Sequence, residues 1–493
     1  MQALGLFDGV GVPDSSVLDS SASRKLARDA AAEGIVLLKN NGILPFKRTR
    51  TSVQSPAKPP ATVAAVSNAA AATRPRGGAA STAAHTPLKI TVLGENGGCV
   101  RSEEADAPPY PFCAAKLSYL GAYSTGYGAY GYTSFKIVTV EAALRARFGD
   151  AVTFVPGASP NDVEINRTRI KSAVAAAAGS DLVVMVLGDS GEGSARTATG
   201  GEGKDRCTLG PAGASQTALL EAVMANPALA SKVVVVHIGS RPLTFPNNSA
   251  VADTIPAILT AMRPGEEGGN AIVQILTGEV SPSARLTTTW VRSVGYIATA
   301  VQPYWQFRQI DFTDWVDGPQ TALFPFGHGL SYTTFAFSRA AATGPATQQD
   351  DAAATKDSTA SISVAVKNTG AVASAVPVQV YCSFTGSPRL RLLRYARLLC
   401  GFTKVFLHPA EEAAVTIKVA LHTLARWDTD RLSADLRGVK VRGTYVIDAG
   451  RYDVAVGDCS NAGAAIGLQD AYSCVHQNTS FAVRDTISFN GKK

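Results

Sequence analysis

The length, composition and charge of the chain exclude several classes of protein. With 493 residues, 46% of them hydrophobic, the chain can form about two or three domains with a sizeable core and is not an intrinsically disordered protein. The formal net charge of +7 arises largely in residues 34–94, which contain no Asp or Glu, and no nucleic-acid-binding motif accompanies it. Asp181 interrupts the best apolar run before it reaches the roughly 18 residues of a membrane span. We therefore expect a soluble protein with neither nucleic acid nor membrane as a partner.

Cysteine and histidine usage predicts no metal site and leaves the compartment open. The seven cysteines show neither Cys-x-x-Cys spacing nor the density of a disulfide scaffold, and the six histidines form no His-x-x-x-His pair. Sequons at Asn166, Asn247 and Asn478 would permit glycosylation, yet the N-terminus lacks the charged and apolar regions of a signal peptide. We expect no metal and no cofactor, and the localisation stays unknown with a slight preference for a secreted or vesicular one.

Two segments of low complexity divide the chain. Residues 47–88 are rich in Ala, Pro, Ser and Thr without a periodic apolar face, which predicts a disordered insertion. Residues 339–358 have the composition of an interdomain linker. We predict a first domain over residues 21–338, after a short leading segment at residues 1–20.

The first domain alternates strand-like and helix-like patterns. Short aliphatic runs typical of strands buried on both faces occur at residues 89–94, 181–188, 232–239 and 255–262. Ile170, Val174 and Ala177 repeat at helical spacing before the second run, and Ser215 is the predicted N-cap of a helix before the third. Strands separated by helices imply a mainly parallel sheet between helical layers, so the predicted fold is an α/β sandwich.

After residue 358 the pattern changes to strand-length runs separated by turn residues. ASISVAVKNTG, VPVQVYCSF and GRYDVAVG alternate or are continuously apolar, and Asn368–Gly370 and Asp448–Gly450 are typical turn sequences. This spacing predicts an all-β sandwich of the immunoglobulin or fibronectin type over residues 359–460, followed by a C-terminal tail at residues 461–493. We assign no catalytic residue to the sandwich.

The glycine-rich segment GDSGEGSARTATGGEGKDR, residues 188–206, is the best candidate for a functional site. It leaves the carboxyl end of a predicted parallel strand, where ligands of such sheets bind. A phosphate-binding loop would need Gly at Ala198 and Ser or Thr at Asp205, and a nucleophile elbow would need Gly at Glu192. A serine protease would need an upstream catalytic histidine, and the only one is His85 in the predicted insertion.

The chemistry that remains for carboxyl groups on such a loop is general acid–base catalysis. Glycoside hydrolysis uses one carboxylic acid to protonate the leaving oxygen and a second carboxylate to attack or to activate water. Glycines allow a loop to bring its carboxyl group over a sugar site built by another domain. Glu192 and Glu202 are therefore the candidate catalytic residues. The alternative from the residues alone is that both are solvated loop carboxylates.

Several blocks of sequence occur in an order typical of one enzyme family. The most specific are RPGEEGGNAIVQILTGEVSPSARL (263–286) and FPFGHGLSYTTF (324–335), and LARDAAAEGIVLLKNNGILPF (26–46) and VVVVHIGSRPL (233–243) accompany them. With these blocks the chain resembles the C-terminal portion of glycoside hydrolase family 3, the β-glucosidases and β-xylosidases. The resemblance implies an α/β sandwich followed by a fibronectin type III-like domain, and a retaining β-glycosidase acting on β-linked glycosides.

The resemblance also implies that the acid–base glutamate lies in the loop at residues 188–206. SGEG puts Glu192 at that position, whereas EGKDR makes Glu202 the neighbour of Asp205 and Arg206, which would form a local ion pair. Glu192 is the first candidate and Glu202 the second.

Two other motifs of the resemblance have a structural explanation. Glycines at residues 265–269 allow a tight turn from a strand into a helix, and Glu266 and Glu267 would lie near the helix N-terminus, where negative charge is favoured. In FPFGHGLSYTTF, we expect Tyr332 and Phe335 to pack where the chain leaves the α/β domain and His328 to have no catalytic role.

The main departure from the family is a missing domain. Family members begin with a (β/α)8-type barrel that supplies the aspartate nucleophile, and LGLFDG (4–9) resembles the end of that barrel. We therefore expect the chain to hold at most half an active site, to be inactive alone and to need a separate barrel domain. A truncated gene product, a split enzyme and a non-catalytic carbohydrate-binding or accessory homologue each fit this sequence, which decides neither between xyloside and glucoside nor the oligomeric state or disulfide pairing.

Overall fold

The computed structural model describes ten stretches of the chain, and all structural statements refer to them. They are residues 20–46, 88–98, 137–189, 208–246, 249–293, 322–345, 354–386, 398–434, 440–459 and 476–489. The predicted insertion at residues 47–88, apart from its last residue, and the candidate loop residues 190–207 lie outside the described residues.

A six-stranded sheet forms the centre of the first half of the chain. Its strands are β1 (Val36–Asn40), β2 (Ile90–Leu93), β3 (Val152–Val155), β4 (Leu182–Gly188), β5 (Val233–Ile238) and β6 (Ala257–Thr260). Their order across the sheet is β1-β6-β5-β4-β2-β3, and every neighbouring pair is parallel except β1 with β6. β4 and β5 are buried along their whole length, which explains why their sequences are continuous aliphatic runs. The predicted mainly parallel sheet is confirmed.

Helices cover both faces of this sheet and complete an α/β sandwich. One hydrophobic cluster joins the sheet to α1 (Ser21–Gly34), α2 (Val140–Phe148) and α6 (Gly268–Thr277). A second cluster joins the opposite face to α3 (Arg167–Ala177), α4 (Gly213–Met224) and the short α5 (Pro227–Ala230). Among the described residues, the helices are too short or too polar for any of them to cross a membrane.

Ser215 is not the N-cap of its helix, contrary to the sequence prediction. The helix α4 begins at Gly213, so Ser215 lies within its first turn and is fully buried. The Ser215 hydroxyl accepts a hydrogen bond from the Asn166 N–H at 3.0 Å and donates one to the Glu164 carbonyl at 3.2 Å. Because the hydroxyl binds the segment before α3, it does not cap the N–H groups of its own helix.

Antiparallel strands form the second half of the chain. They are β7 (Phe335–Thr343), β8 (Thr359–Asn368), β9 (Ser374–Phe384), β10 (Leu398–Leu407), β11 (Glu412–Ala420), β12 (Arg426–Ala434), β13 (Lys440–Ile447), β14 (Gly450–Gly457), β15 (His476–Val483) and β16 (Ile487–Phe489). The sheets β10-β9-β14-β15 and β11-β8-β7 enclose one hydrophobic core, and β12-β13-β16 forms a third sheet. The predicted all-β sandwich of fibronectin type is confirmed.

Strands also lie in segments where the sequence predicts a linker and a tail. β7 places Phe335 and Phe337 in the sandwich core and continues into the predicted linker at residues 339–358. β15 and β16 lie within the predicted tail at residues 461–493. These strands contain alanines and polar residues, which hide the two-residue alternation that identifies a half-buried strand.

Polar side chains connect the α/β sandwich to the β-sandwich. Nε2 of Gln379 donates to the carbonyls of Gly327 at 3.2 Å and Asp458 at 2.7 Å, and its Oε1 accepts from the Tyr381 hydroxyl at 2.6 Å. Nε of Arg285 donates to the same Asp458 carbonyl at 3.2 Å. Gln379 is buried, so these hydrogen bonds belong to the interior of the junction.

Candidate functional site

The carboxyl ends of β2, β4, β5 and β6 meet at one edge of the sheet, where ligands of parallel sheets bind. β4 lies in the middle of this edge. The described residues end at Asp189, one residue after the strand, and begin again at Thr208. Glu192 and Glu202 lie outside the described residues, as does the Asp205–Arg206 pair. The site is therefore described through the residues at the two ends of the loop and those along the edge of the sheet.

Three polar side chains, which we call the polar row, lie on one face of this edge: Asp189, His237 and Thr260. The register sets His237 of β5 opposite Thr260 of β6, and Nδ1 of His237 is 3.0 Å from Oγ1 of Thr260. All three residues are almost fully buried. The ring of Trp290 packs edge-on against His237 with ring centroids 5.5 Å apart, so the row lies between the sheet and the second hydrophobic cluster.

Gly239 leaves space for the side chains of both Asp189 and His237. A Cβ atom at this position would lie 2.8 Å from Oδ2 of Asp189 and 2.9 Å from Nε2 of His237, closer than real Cβ atoms approach other atoms. The carboxylate and the imidazole therefore lie over the bare backbone of Gly239. A larger residue at position 239 would require both side chains to shift.

Arg263 interacts electrostatically with Asp189 at one end of the polar row. Burial lowers the pKa of Arg263, the charge of Asp189 opposes that change, and the nearby Arg241 adds to it. Nη2 of Arg263 donates to the Ser240 hydroxyl at 3.3 Å. The loop thus starts at a buried carboxylate that interacts with the charge of Arg263. Among the described residues, no three His, Cys, Asp or Glu side chains come together as a metal site.

Backbone and side-chain hydrogen bonds fix the chain where the loop begins. The Asp189 N–H donates to the Ile238 carbonyl at 3.0 Å, which continues the ladder between β4 and β5 by one residue. Nδ2 of Asn96, a fully buried residue after β2, donates to the Asp189 carbonyl at 2.9 Å. Both polar backbone groups of Asp189 are therefore bound, and the loop leaves the fold from a fixed residue.

The motifs predicted to be structural make contacts with helices and with β1. Glu267 directly precedes α6, as predicted, and its Oε1 is 2.5 Å from Nη2 of Arg24 on α1. The Tyr332 hydroxyl donates to the Ile275 carbonyl at 2.8 Å. Nε2 of His328 is 2.8 Å from the Leu38 carbonyl, and burial lowers the pKa of His328 to about 4. These contacts hold α1, α6 and β1 together.

The sequence analysis did not identify Asp189 or His237 as part of the site. The available signal was position, because His237 is the only polar residue in β5 and Asp189 comes directly after the aliphatic run of β4. A polar residue inside a fully buried strand has to find a partner there. Neither the register of the strands nor the space over Gly239 can be read from these local patterns.

The described residues form an α/β sandwich followed by a β-sandwich, and the central strand of the first leads into the glycine-rich segment. The family model described as glycosyl hydrolase family 3 C-terminal domain matches residues 35–332, and that of a fibronectin type III-like domain matches residues 376–460. The chain therefore belongs to glycosyl hydrolase family 3.

Named relatives and solved structures agree with this family. A β-xylosidase of Formosa agariphila is 31% identical over 318 residues, 64% of this chain and 39% of that protein. A periplasmic β-glucosidase of Salmonella typhimurium is 30% identical over 442 residues, 86% of this chain and 50% of that protein. A β-glucosidase structure from Erythrobacter marinus has a TM-score of 0.62 at 26% identity, covering 95% of this chain and 51% of that one. The chain thus spans half or less of the length of these two curated relatives.

Proposed function

We propose that the chain supplies the acid–base part of a retaining β-glycosidase that hydrolyses O-glycosyl bonds of β-glucosides or β-xylosides. Membership of glycosyl hydrolase family 3 and relatives named β-xylosidase and β-glucosidase support the reaction class. The observation that carries the proposal is the place of the loop with Glu192 and Glu202. It leaves the fold at the carboxyl end of the central strand β4, beside the buried polar row.

Glu192 is the proposed acid–base residue, and Glu202 is the second candidate. In a retaining mechanism the glutamic acid protonates the leaving glycosidic oxygen while a carboxylate attacks the anomeric carbon. The resulting glutamate then takes a proton from the water that releases the sugar from the enzyme. A glycine-rich loop suits both steps, because the same carboxyl group must reach the leaving group and then the water.

The nucleophile is proposed to come from a (β/α)8-type barrel domain outside these 493 residues, in the same polypeptide or in a separate one. The barrel would supply most of the contacts to the sugar, as the family resemblance implies. We expect the 493-residue chain to be inactive alone and active when such a domain is present.

The test is an assay on 4-nitrophenyl β-glucoside and β-xyloside, with the chain alone and with a barrel domain from a family member. Glu192→Gln and Glu202→Gln are matched variants, since each replaces one loop carboxyl by an amide. We expect the barrel to restore activity and Glu192→Gln to reduce it by about 100-fold or more, with a smaller loss in Glu202→Gln. The reverse order of losses would assign the role to Glu202. Sugar binding without turnover in every combination would favour a carbohydrate-binding accessory module instead.

A further inference from the structure

One buried side chain contacts both ends of the loop at residues 190–207. Oε1 of Gln216 accepts a hydrogen bond from the Gly188 N–H at 2.9 Å, and its Nε2 donates to the Gly188 carbonyl at 2.8 Å. The same Nε2 donates to the Ala212 carbonyl at 2.6 Å. Gly188 ends β4 before the loop, and Ala212 precedes α4 after it. Gln216 therefore binds the exit and the return of the loop at once.

The backbones of β4 and β5 approach each other closely at the start of the loop. A Cβ atom on Gly188 would lie 1.8 Å from the Ile238 carbonyl oxygen, so β4 and β5 approach closely where the loop begins. The Ala212 N–H donates to the Gly188 carbonyl at 3.3 Å, a longer bond than either bond from Gln216 Nε2. The two ends are thus joined by the amide of Gln216 and by one direct backbone hydrogen bond.

Burial makes these hydrogen bonds costly to lose. Gln216 is 1% exposed and Gly188 is buried, so water does not replace the amide when it is removed. When a buried N–H or carbonyl is left without a partner, the protein is destabilised by the full desolvation penalty of that group. This penalty exceeds the net contribution of an ordinary hydrogen bond. The contact between the loop ends is therefore sensitive to this one side chain.

We propose that Gln216 is a positioning residue for the acid–base loop, because it fixes Gly188 and Ala212, the residues between which the loop begins and ends. The inference rests on the proposed function, because it requires that Glu192 or Glu202 donates the proton. A general acid must lie within about 3 Å of the oxygen that it protonates. A displacement of about 1 Å can reduce the rate about 100-fold.

The first experiment needs no activity. Amide hydrogen exchange is measured on the chain with Gln216→Met, which keeps the side-chain length and removes the amide, and with Gln274→Met on α6 as the matched control. We expect peptides containing Gly188 and Ala212 to exchange at least about tenfold faster in Gln216→Met, since about 1.4 kcal/mol corresponds to tenfold. Gln274→Met should exchange there like the wild-type chain. Wild-type exchange in Gln216→Met would overturn the inference.

The second experiment uses the enzyme assembled with its barrel domain and two substrates that differ in the leaving group. A dinitrophenyl glycoside departs without protonation, whereas a phenyl glycoside needs the acid, so a displaced acid slows only the second. We expect Gln216→Met to reduce kcat/KM about tenfold or more on the phenyl glycoside and less than about threefold on the dinitrophenyl glycoside. A loss of folded protein lowers both values equally, and equal losses would overturn the positioning role.

The two experiments separate this inference from the proposed function. If Glu192→Gln and Glu202→Gln both keep the wild-type ratio of kcat/KM for the two substrates, neither glutamate is the acid and the proposed function fails. If one of them changes the ratio and Gln216→Met does not, the proposed function stands and the role of Gln216 is refuted.

Discussion

The side chains of Asp189 and His237 both reach into the space that a side chain at position 239 would fill. Oδ2 of Asp189 and Nε2 of His237 both lie within 2.9 Å of the point where a Cβ atom of Gly239 would stand. In a close-packed interior, a methyl group added at this position would require both side chains to shift. The glycine therefore leaves room for a carboxylate and an imidazole next to the proposed catalytic loop.

We expect Gly239→Ala to lower the free energy of unfolding by about 1–3 kcal/mol, because its methyl group overpacks the polar row. The measurement is urea denaturation followed by tryptophan fluorescence, with Trp290 close to His237 as an internal reporter. Gly179→Ala is the control, since a Cβ atom there would have no heavy atom within 4 Å, and its effect should stay within about 0.5 kcal/mol. Equal stabilities of the two variants would contradict the steric argument.

His328 gives the chain a defined pH dependence of stability. Burial and, to a smaller extent, the charge of Arg285 together lower its pKa to about 4, whereas the pKa of an unfolded histidine is about 6.5. Between these values the unfolded chain binds a proton that the folded chain does not. Stability is therefore fully present above about pH 6.5, decreases as the pH falls toward 4 and levels off below it.

We expect His328→Gln to lose this part of the pH dependence, which amounts to about 2 kcal/mol between pH 7 and pH 4.5. The measurement is the free energy of unfolding in urea at both pH values. His408→Gln changes an exposed histidine and should keep the wild-type difference. If the free energy of unfolding of His328→Gln changes between the two pH values as much as that of the wild-type chain, other groups cause the pH dependence.

At the scale of helices and strands, sequence patterns predict the α/β sheet better than the ends of the β-sandwich. β4 and β5 are aliphatic and buried throughout, so composition alone identifies them. β7 and β15 contain alanines and polar residues, and their pairing with β8 and β14 becomes evident only in three dimensions. The contacts of Gln216 with both loop ends depend in the same way on the packing of α4 against β4.

The disulfide between Cys382 and Cys400 joins the neighbouring strands β9 and β10 over a sequence separation of 18 residues. We expect the double variant Cys382→Ser/Cys400→Ser to lose about 3 kcal/mol of unfolding free energy, because the link restricts the unfolded chain. Urea denaturation with and without reductant measures the effect. Reductant should lower the free energy of unfolding of the wild-type chain more than that of the double variant, which keeps the disulfide of Cys459. A wild-type chain as unstable as the double variant before reduction would contradict the prediction.

At the scale of the whole molecule, the α/β sandwich and the β-sandwich have separate hydrophobic cores. Two clusters lie on the faces of the six-stranded sheet and a third lies inside the β-sandwich. The hydrogen bonds of Gln379 to the Gly327 carbonyl and of Arg285 to the Asp458 carbonyl cross the junction between them, and the rings of Phe326 and Tyr381 meet there. Buried polar groups therefore contribute to the coupling between the two halves.

We expect the wild-type chain to unfold in one coupled calorimetric transition and Gln379→Leu to separate it into two. Leucine fills a similar volume but cannot form the hydrogen bonds that Gln379 makes with the Gly327 carbonyl and the Tyr381 hydroxyl. Their loss should lower the free energy of unfolding by about 1–3 kcal/mol. Gln477→Leu on β15 makes the same chemical change at a partly exposed position and should keep one transition. A single transition at the wild-type temperature in Gln379→Leu would mean that apolar contacts hold the junction. Two transitions would mean that the halves are coupled through Gln379.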